Sequence, residues 1–437
     1  MPAKIDIEFF EPGKEQDKKK GILMLDLFGK NVLEIKGSMM DMLKEFNILY
    51  ATGIHTGTIY SLVGCYFSGL KDGYSSFIIN EVYKDAFLKQ VHDPCFIETD
   101  FEMTGLTAWI NQTRITFKSS FKDAIATVTL KKPKTIVWQI SPTFSLEVMQ
   151  VGSYEFEAGS VAFKDVSKAR LLSTKPLSRL ELYNATTSLT RLFMLFSHQL
   201  PKLSRLWYTG TDNRTITLLN FFKKPAETEI SITLRDIENN FEEMLQTFFR
   251  SIDHYTEVLD LIQEALQNKT VEISFLNLTT AMEICHKYFL EKDPSNPRSS
   301  LANELIQKGT IKETNGKWEN ILRYYHILKL SATMKFIQVN IPDLASFASR
   351  LRTSRNYYTH YGEKKKQVYS ANRLLWVNRT LVLLLKGILL QLLGAPEEAI
   401  NKMQLNHSGI FFTKYEDNQF SVLYTGPVIS QKSEEES

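Results

Sequence analysis

The chain has 437 residues, 52 Lys and Arg against 49 Asp and Glu, a net charge of +3 and an apolar fraction of 43%. That length allows two or three domains with cores of their own, and the composition is that of an ordinary globular protein, so charge alone carries no case for nucleic-acid binding. Cys65, Cys95 and Cys285 are scattered, with no CxxC pair. This argues against a disulfide framework or a structural zinc site and fits a reducing compartment. Met1–Glu11 has no apolar signal core, so a cytoplasmic protein is expected and N-x-S/T triplets such as those at Asn184, Asn213 and Asn378 read as chance matches.

The first half reads as β. Ile5–Phe10, Ile22–Leu27 and Val32–Ile35 are short apolar runs joined by turns such as Phe28-Gly29-Lys30-Asn31. Further runs follow at Ile54–Tyr66, Ser75–Tyr83, Arg114–Phe117, Ala124–Leu130 and Thr135–Ile140, with turn residues at the spacing of a sandwich or barrel. Leu177–Leu200 has helical spacing, and Arg205–Tyr208 and Thr215–Phe222 read as strands. From Ser231 the period becomes helical throughout. Helices are expected within Leu234–Gln267 and over Phe275–Leu290, Ser300–Lys308, Trp318–Phe336, Asp343–Tyr361 and Tyr369–Leu393. Pro294 and Pro297 mark a loop, and Pro342-Asp343 predicts a helix start. The apolar run Leu374–Leu393 is interrupted by Asn378, Arg379 and Lys386, which predicts a buried bundle helix rather than a membrane span. Phe411–Tyr415 and Phe420–Tyr424 read as a terminal hairpin, and Gln431–Ser437 as a solvated tail. The expected class is α+β: a β-rich domain over 1–232, an all-α bundle over 233–400, and a hairpin with an acidic tail over 401–437.

One segment stands apart. Between Arg350 and Lys366 there are six cations (Arg350, Arg352, Arg355, Lys364, Lys365, Lys366) and one acid, Glu363, a local charge of +5 in a chain carrying +3. Inside it lies Arg355-Asn356-Tyr357-Tyr358-Thr359-His360, which puts a guanidinium, an amide and an imidazole on about one and a half helical turns. Asn356 and His360 share a helix face and Arg355 lies one step round. An imidazole can take a 2′-hydroxyl proton or protonate a leaving 5′-oxygen. A guanidinium can hold the phosphate, and the amide can orient either group. The set suits metal-free cleavage of RNA, and because the nucleophile belongs to RNA, DNA should be spared. One histidine does not easily serve as both acid and base, which points to a composite site from two copies of the motif.

Around it, Arg350, Arg352, Tyr358 and Lys364–Lys366 are the expected RNA contacts, the tyrosine by stacking on unpaired bases. At least one of Tyr357, Tyr358 and Tyr361 must face the core instead, since three aromatics in five residues cannot share one side. Glu283-x-x-His286 has the spacing of half a di-metal site, but no second Glu-x-x-His exists. It reads as a pair on a helix surface, or as support for the motif from a neighbouring helix. His55 is expected to be structural, in a strand. No glycine-rich phosphate loop or histidine cluster suggests a cofactor or metal.

These residues resemble a known family. Arg355-Asn356-x-x-x-His360, late in a bundle, is similar to the R-x4–6-H signature of HEPN ribonucleases. With Phe275-Leu276-x-Leu278, Ala281-x-Glu283-x-x-His286 and the long apolar helix after the motif, it resembles the HEPN domain of ApeA-type proteins. Gly53-Ile54-His55-Thr56-Gly57 and Gly105-Leu106-Thr107-Ala108-Trp109 resemble the ApeA N-terminal domain, so the likeness spans residues 1–400. The resemblance implies a bacterial abortive-infection protein acting against phage. Its helical domain would cleave RNA without a cofactor and leave a 2′,3′-cyclic phosphate, with Arg355 and His360 as the catalytic pair and Asn356 as their polar neighbour. Transfer RNA is a substrate by analogy with related toxins. A homodimer or larger even-numbered assembly would complete the site, and a phage-derived trigger would act at the N-terminal domain. The rival reading is a non-catalytic HEPN module that binds RNA or a protein. A metal enzyme built on Glu283 and His286 would need ligands the sequence does not offer.

Overall fold

The computed structural model describes residues 3–27, 30–37, 46–88, 95–112, 115–120, 125–157, 160–219, 228–291, 298–311, 319–361, 367–408, 412–416 and 419–424. The chain is α+β and divides into two compact units. The first comprises residues 1–108, 112–190 and 201–227; the second comprises 109–111, 191–200 and 228–437.

In the first unit, β1 (Ala3–Phe10), β2 (Lys19–Leu27), β3 (Lys30–Lys36), β4 (Phe46–Gly53), β5 (Ile59–Lys71) and β6 (Tyr74–Lys84) close a six-stranded antiparallel barrel in the order β6-β3-β2-β1-β4-β5-β6. Alternation drives the closure: Ile7, Phe9, Leu23, Leu33, Leu62 and Phe77 point inward and are at most 2% exposed. β6 then serves two partners besides β5. It pairs with β3 along Tyr74–Ile79 and with β14 (Thr215–Leu218) at Tyr83 and Lys84, extending the sheet through β13 (Leu203–Gly210), β7 (Phe96–Met103), β12 (Ser160–Leu177), β11 (Phe144–Glu157) and β10 (Lys134–Ser141). β8 (Ile115–Ser120) and β9 (Ile125–Leu130) form a separate hairpin.

Three expectations are corrected. The run Ile54–Tyr66 is not one strand: Ile54, His55 and Thr56 form a turn between β4 and β5, because Gly53 N–H bonds back to Thr58 O. His55 is therefore exposed in that turn, 3.6 Å from Asp6, rather than in a strand. Strand β4 was not foreseen, and strands β7, β11 and β12 carry too many polar residues to stand out as apolar runs; β7 alone sets Glu98, Asp100 and Glu102 along one face. Phe28 and Gly29, residues 292–297 with their two prolines, and Gln431–Ser437 lie outside the described residues.

The second unit is helical. α1 (Leu106–Ile110) enters it through Trp109, whose ring packs at 4.7 Å on Phe193 and 4.9 Å on Phe241. α2 (Arg179–Met194) hands over the chain, and the expected run from Leu234 divides into α3 (Leu234–Ile237), α4 (Phe241–Arg250) and α5 (Ile252–Gln267). Then come α6 (Val271–Cys285) with a π-turn over His286–Leu290, α7 (Arg298–Gln307), α8 (Glu319–Leu330), α9 (Lys335–Asn340), α10 (Leu344–His360), α11 (Ala371–Leu392) and α12 (Glu397–Ser408). α12 was not foreseen; the terminal hairpin was, and pairs Phe412–Glu416 with Gln419–Tyr424.

α11 is long and apolar enough to cross a membrane, yet it is the core helix of this unit, with Leu381, Leu384 and Leu385 fully covered. Lys386 is fully buried among them and donates to Ser197 O at 2.8 Å. Burial pushes its ammonium down to about 7. The folded state holds this proton less tightly than the unfolded chain, so the penalty is complete below pH 7 and is relieved as pH rises from 7 toward the ordinary lysine value. Lys386→Met is expected to be neutral or stabilising at pH 6 by a few kcal/mol, an advantage that shrinks toward pH 10, as read from denaturant midpoints across that range.

Candidate functional site

α10 starts where Pro342-Asp343 predicts. Asp343 caps it, accepting from Ala345 N–H at 3.1 Å and Ser346 N–H at 3.0 Å. Leu351, Ser354 and Tyr358 turn toward the core, and the helix stops after His360, where Tyr361 takes a left-handed φ of 46°. The segment after the loop is then tied back: Tyr369 N–H donates to Ser354 Oγ at 2.9 Å, and Tyr358 hydroxyl donates to Tyr369 O at 2.7 Å.

The strongest polar contact of α10 reaches α6. Arg355 pairs with Glu283: Nη2 donates to Oε2 at 3.1 Å, and Nε lies 3.0 Å from Oε1. The hydroxyl of Tyr324 in α8 donates to the same oxygen, Glu283 Oε1, at 2.6 Å. Tyr324 is fully buried, and burial together with Glu283 raises its hydroxyl well above the ordinary tyrosine value, so it stays a donor. The side chains of Glu283 and Arg355 are 14% and 25% exposed. The guanidinium is thus fixed by one edge. Its remaining three N–H groups, on Nη1 and the outer side of Nη2, have no partner among the described residues.

Helical geometry arranges the rest. From Arg355, Arg352 lies about 60°, Asn356 about 100° and His360 about 140° round the same side, with His360 about 7.5 Å further along the axis. His360 is exposed, and Asn356 and Arg352 are half-buried. Arg350 lies on the other side of the buried stripe, its guanidinium 4.7 Å from the Tyr369 ring centre.

Several expectations change. Tyr358 is not available for stacking on bases; it is 8% exposed, bonded to Tyr369 and packed against Phe275 at 6.1 Å. Glu283 and His286 are not a surface pair. Glu283 binds Arg355 directly, while His286 is 7% exposed and turns to His326 of α8, with Nε2 3.2 Å from Nδ1. The contacts Glu283–Arg355 and Phe275–Tyr358 show that α6 and α10 run antiparallel, so His286 and His360 lie on opposite sides of the ion pair, roughly 12 Å apart along the axis. Lys364, Lys365 and Lys366 lie outside the described residues. Sequence reasoning missed Tyr324 and His326, since one tyrosine of Tyr324-Tyr325 and one more helical histidine carry no periodic signal. Among the described residues no three His, Cys, Asp or Glu side chains come together to hold a metal ion.

Two family models match the chain. Residues 7–248 match ApeA N-terminal domain 1, and residues 276–399 match Apea-like HEPN, a span holding Glu283, Tyr324, Arg355 and His360. No curated protein and no solved structure matches the chain. Such a domain pair points to anti-phage defence. A β-rich first unit, a helical second unit with its R-N-x3-H motif on α10, and two matches in the same order lead to one conclusion: the chain belongs to the ApeA family and carries a C-terminal HEPN domain.

Proposed function

We propose that the protein is a metal-independent endoribonuclease of anti-phage defence, with Arg355 and His360 as its catalytic pair. The observation that carries this reading is the half-used guanidinium of Arg355: Glu283 takes one edge and orients the group, and the outer edge is left for a phosphate. A phosphodiester there would sit on the side of α10 that also presents His360 and Asn356. The imidazole of His360 would take the 2′-hydroxyl proton; the 2′-oxygen then attacks phosphorus, the 5′-oxygen leaves with a proton from a second imidazole, and a 2′,3′-cyclic phosphate remains. The charge developing on the phosphoryl oxygens would fall to Arg355. Two copies of the chain would bring two such imidazoles to one cleft, and the β-rich unit would sense a phage-derived trigger or restrain the nuclease. The same ion pair gives the rival reading its best support, because an Arg355 that only ties α10 to α6 suits a binding module equally well.

Incubation of purified protein with total bacterial RNA in EDTA, alone and with extract of phage-infected cells, tests the reading. Wild type is expected to give discrete fragments ending in 2′,3′-cyclic phosphate, and His360→Ala and Arg355→Ala to lose about 10²–10⁴ of the rate while melting cooperatively. Cleavage that persists in His360→Ala, or never appears with infected extract, overturns it. Glu283→Gln is expected to lower cleavage about 10–100-fold, and Tyr324→Phe less, because the charge-assisted bonds that aim Arg355 are worth roughly 1.5–3 kcal/mol. Unchanged single-turnover rates in Glu283→Gln would show that Arg355 needs no such support.

A further inference from the structure

α6 does not end cleanly. Its last turn widens into the π-turn His286–Leu290, a device that re-aims side chains and recurs at functional positions. Beside it lies a cavity of about 110 Å³. His286, His326, Arg298, Arg323, Glu319 and Glu291 supply its polar wall, and Leu290, Leu301 and Leu322 its apolar wall. Arg298 is committed to Glu319 by an ion pair. Arg323, half-buried on α8, has no ion-pair partner among the described residues; Glu291, the other acid of the lining, is exposed. The two imidazoles bond to each other, and Nδ1 of His286 is buried without a partner.

We propose that this cavity binds a single phosphate group, the terminal phosphate of an RNA strand or nucleotide, at a site separate from Arg355 and His360. Size limits the occupant: the space is smaller than the ~150 Å³ cavity that admits a benzene ring, so a phosphate fits where a base does not. Charge sets its sign. Arg323 is a guanidinium without a carboxylate in a partly desolvated wall, and an oxyanion satisfies it. Burial first, then His326, Arg323 and Arg298, push the His286 imidazole down to about 4, so the ring is neutral and offers an N–H rather than competing for a counter-ion. A metal ion is disfavoured, since two guanidiniums flank the imidazoles and no three His, Cys, Asp or Glu among the described residues are placed to hold one. The cavity lies beyond Glu283 in the direction of His286, away from His360, so it would hold a phosphate other than the one being cleaved.

The inference stands apart from the nuclease reading and is tested on the full-length His360→Ala variant, which leaves RNA intact. Titration calorimetry with inorganic phosphate is expected to show saturable binding, one anion per chain. A 5′-phosphorylated trinucleotide is compared with its 5′-hydroxyl counterpart. Tighter binding of the phosphorylated oligonucleotide than of inorganic phosphate identifies an RNA end; equal binding identifies a free anion. Arg323→Gln should weaken either at least 10-fold while melting like its parent. Arg323→Lys should retain part of the affinity. Absence of saturable binding, or affinity unchanged in Arg323→Gln, overturns the proposal. Loss of binding in Arg355→Ala would place the phosphate at the α6–α10 ion pair instead and would equally overturn it.

Discussion

The carboxylate of Glu283 is the point on which the helical unit's chemistry turns. It receives Arg355 from α10 and Tyr324 from α8, so one side chain of α6 fixes three helices at the same level. Partly buried charges that pair this closely tolerate little movement, because losing one partner strands the other in a poorly solvated place. The result is a guanidinium that cannot wander and still shows an unused edge. Long arginine side chains on a helix surface ordinarily spend their entropy in solvent; here that freedom is removed before any ligand arrives.

The antiparallel run of α6 and α10 gives that ion pair its second consequence. Residues after Glu283 and residues after Arg355 move apart, which places the exposed His360 at one side and the buried His286–His326 pair at the other. The bundle therefore separates two kinds of histidine. One sits at a helix terminus in solvent. The other pair is buried between the π-turn and α8, where burial and neighbouring cations hold His286 neutral. Their burial, more than their residue type, separates their chemistry.

How much was legible in advance can be followed residue by residue. The start of α10 could be read because a proline followed by an aspartate is a local signal, and the aspartate needs only the first-turn N–H groups to act on. The end of α10 and the span of α11 were equally local, the latter because a long, mostly apolar run has few other ways to be buried. Strands β7 and β12 were not legible. Their outward faces carry Glu98, Asp100 and Arg170, whose pairing across the sheet removes the apolar alternation that strand recognition relies on. The division of Leu234–Gln267 into three helices was also hidden, since Glu238–Asn240 and Ser251 carry no proline or glycine to announce a break.

By itself, the sequence determined the order of a β-rich half and a helical half, the cap and length of α10, and the placing of Arg355, Asn356 and His360 along one side of it. These follow from periodicity and from fixed helical angles, which need no knowledge of what lies across the core. Tertiary structure alone decided which partners those side chains meet. Glu283 meets Arg355 across 72 positions of chain and Tyr324 across 41, Tyr358 turns inward, and His286 joins His326 rather than the motif. Contacts of that kind depend on the packing direction of whole helices. No local pattern of residues encodes it.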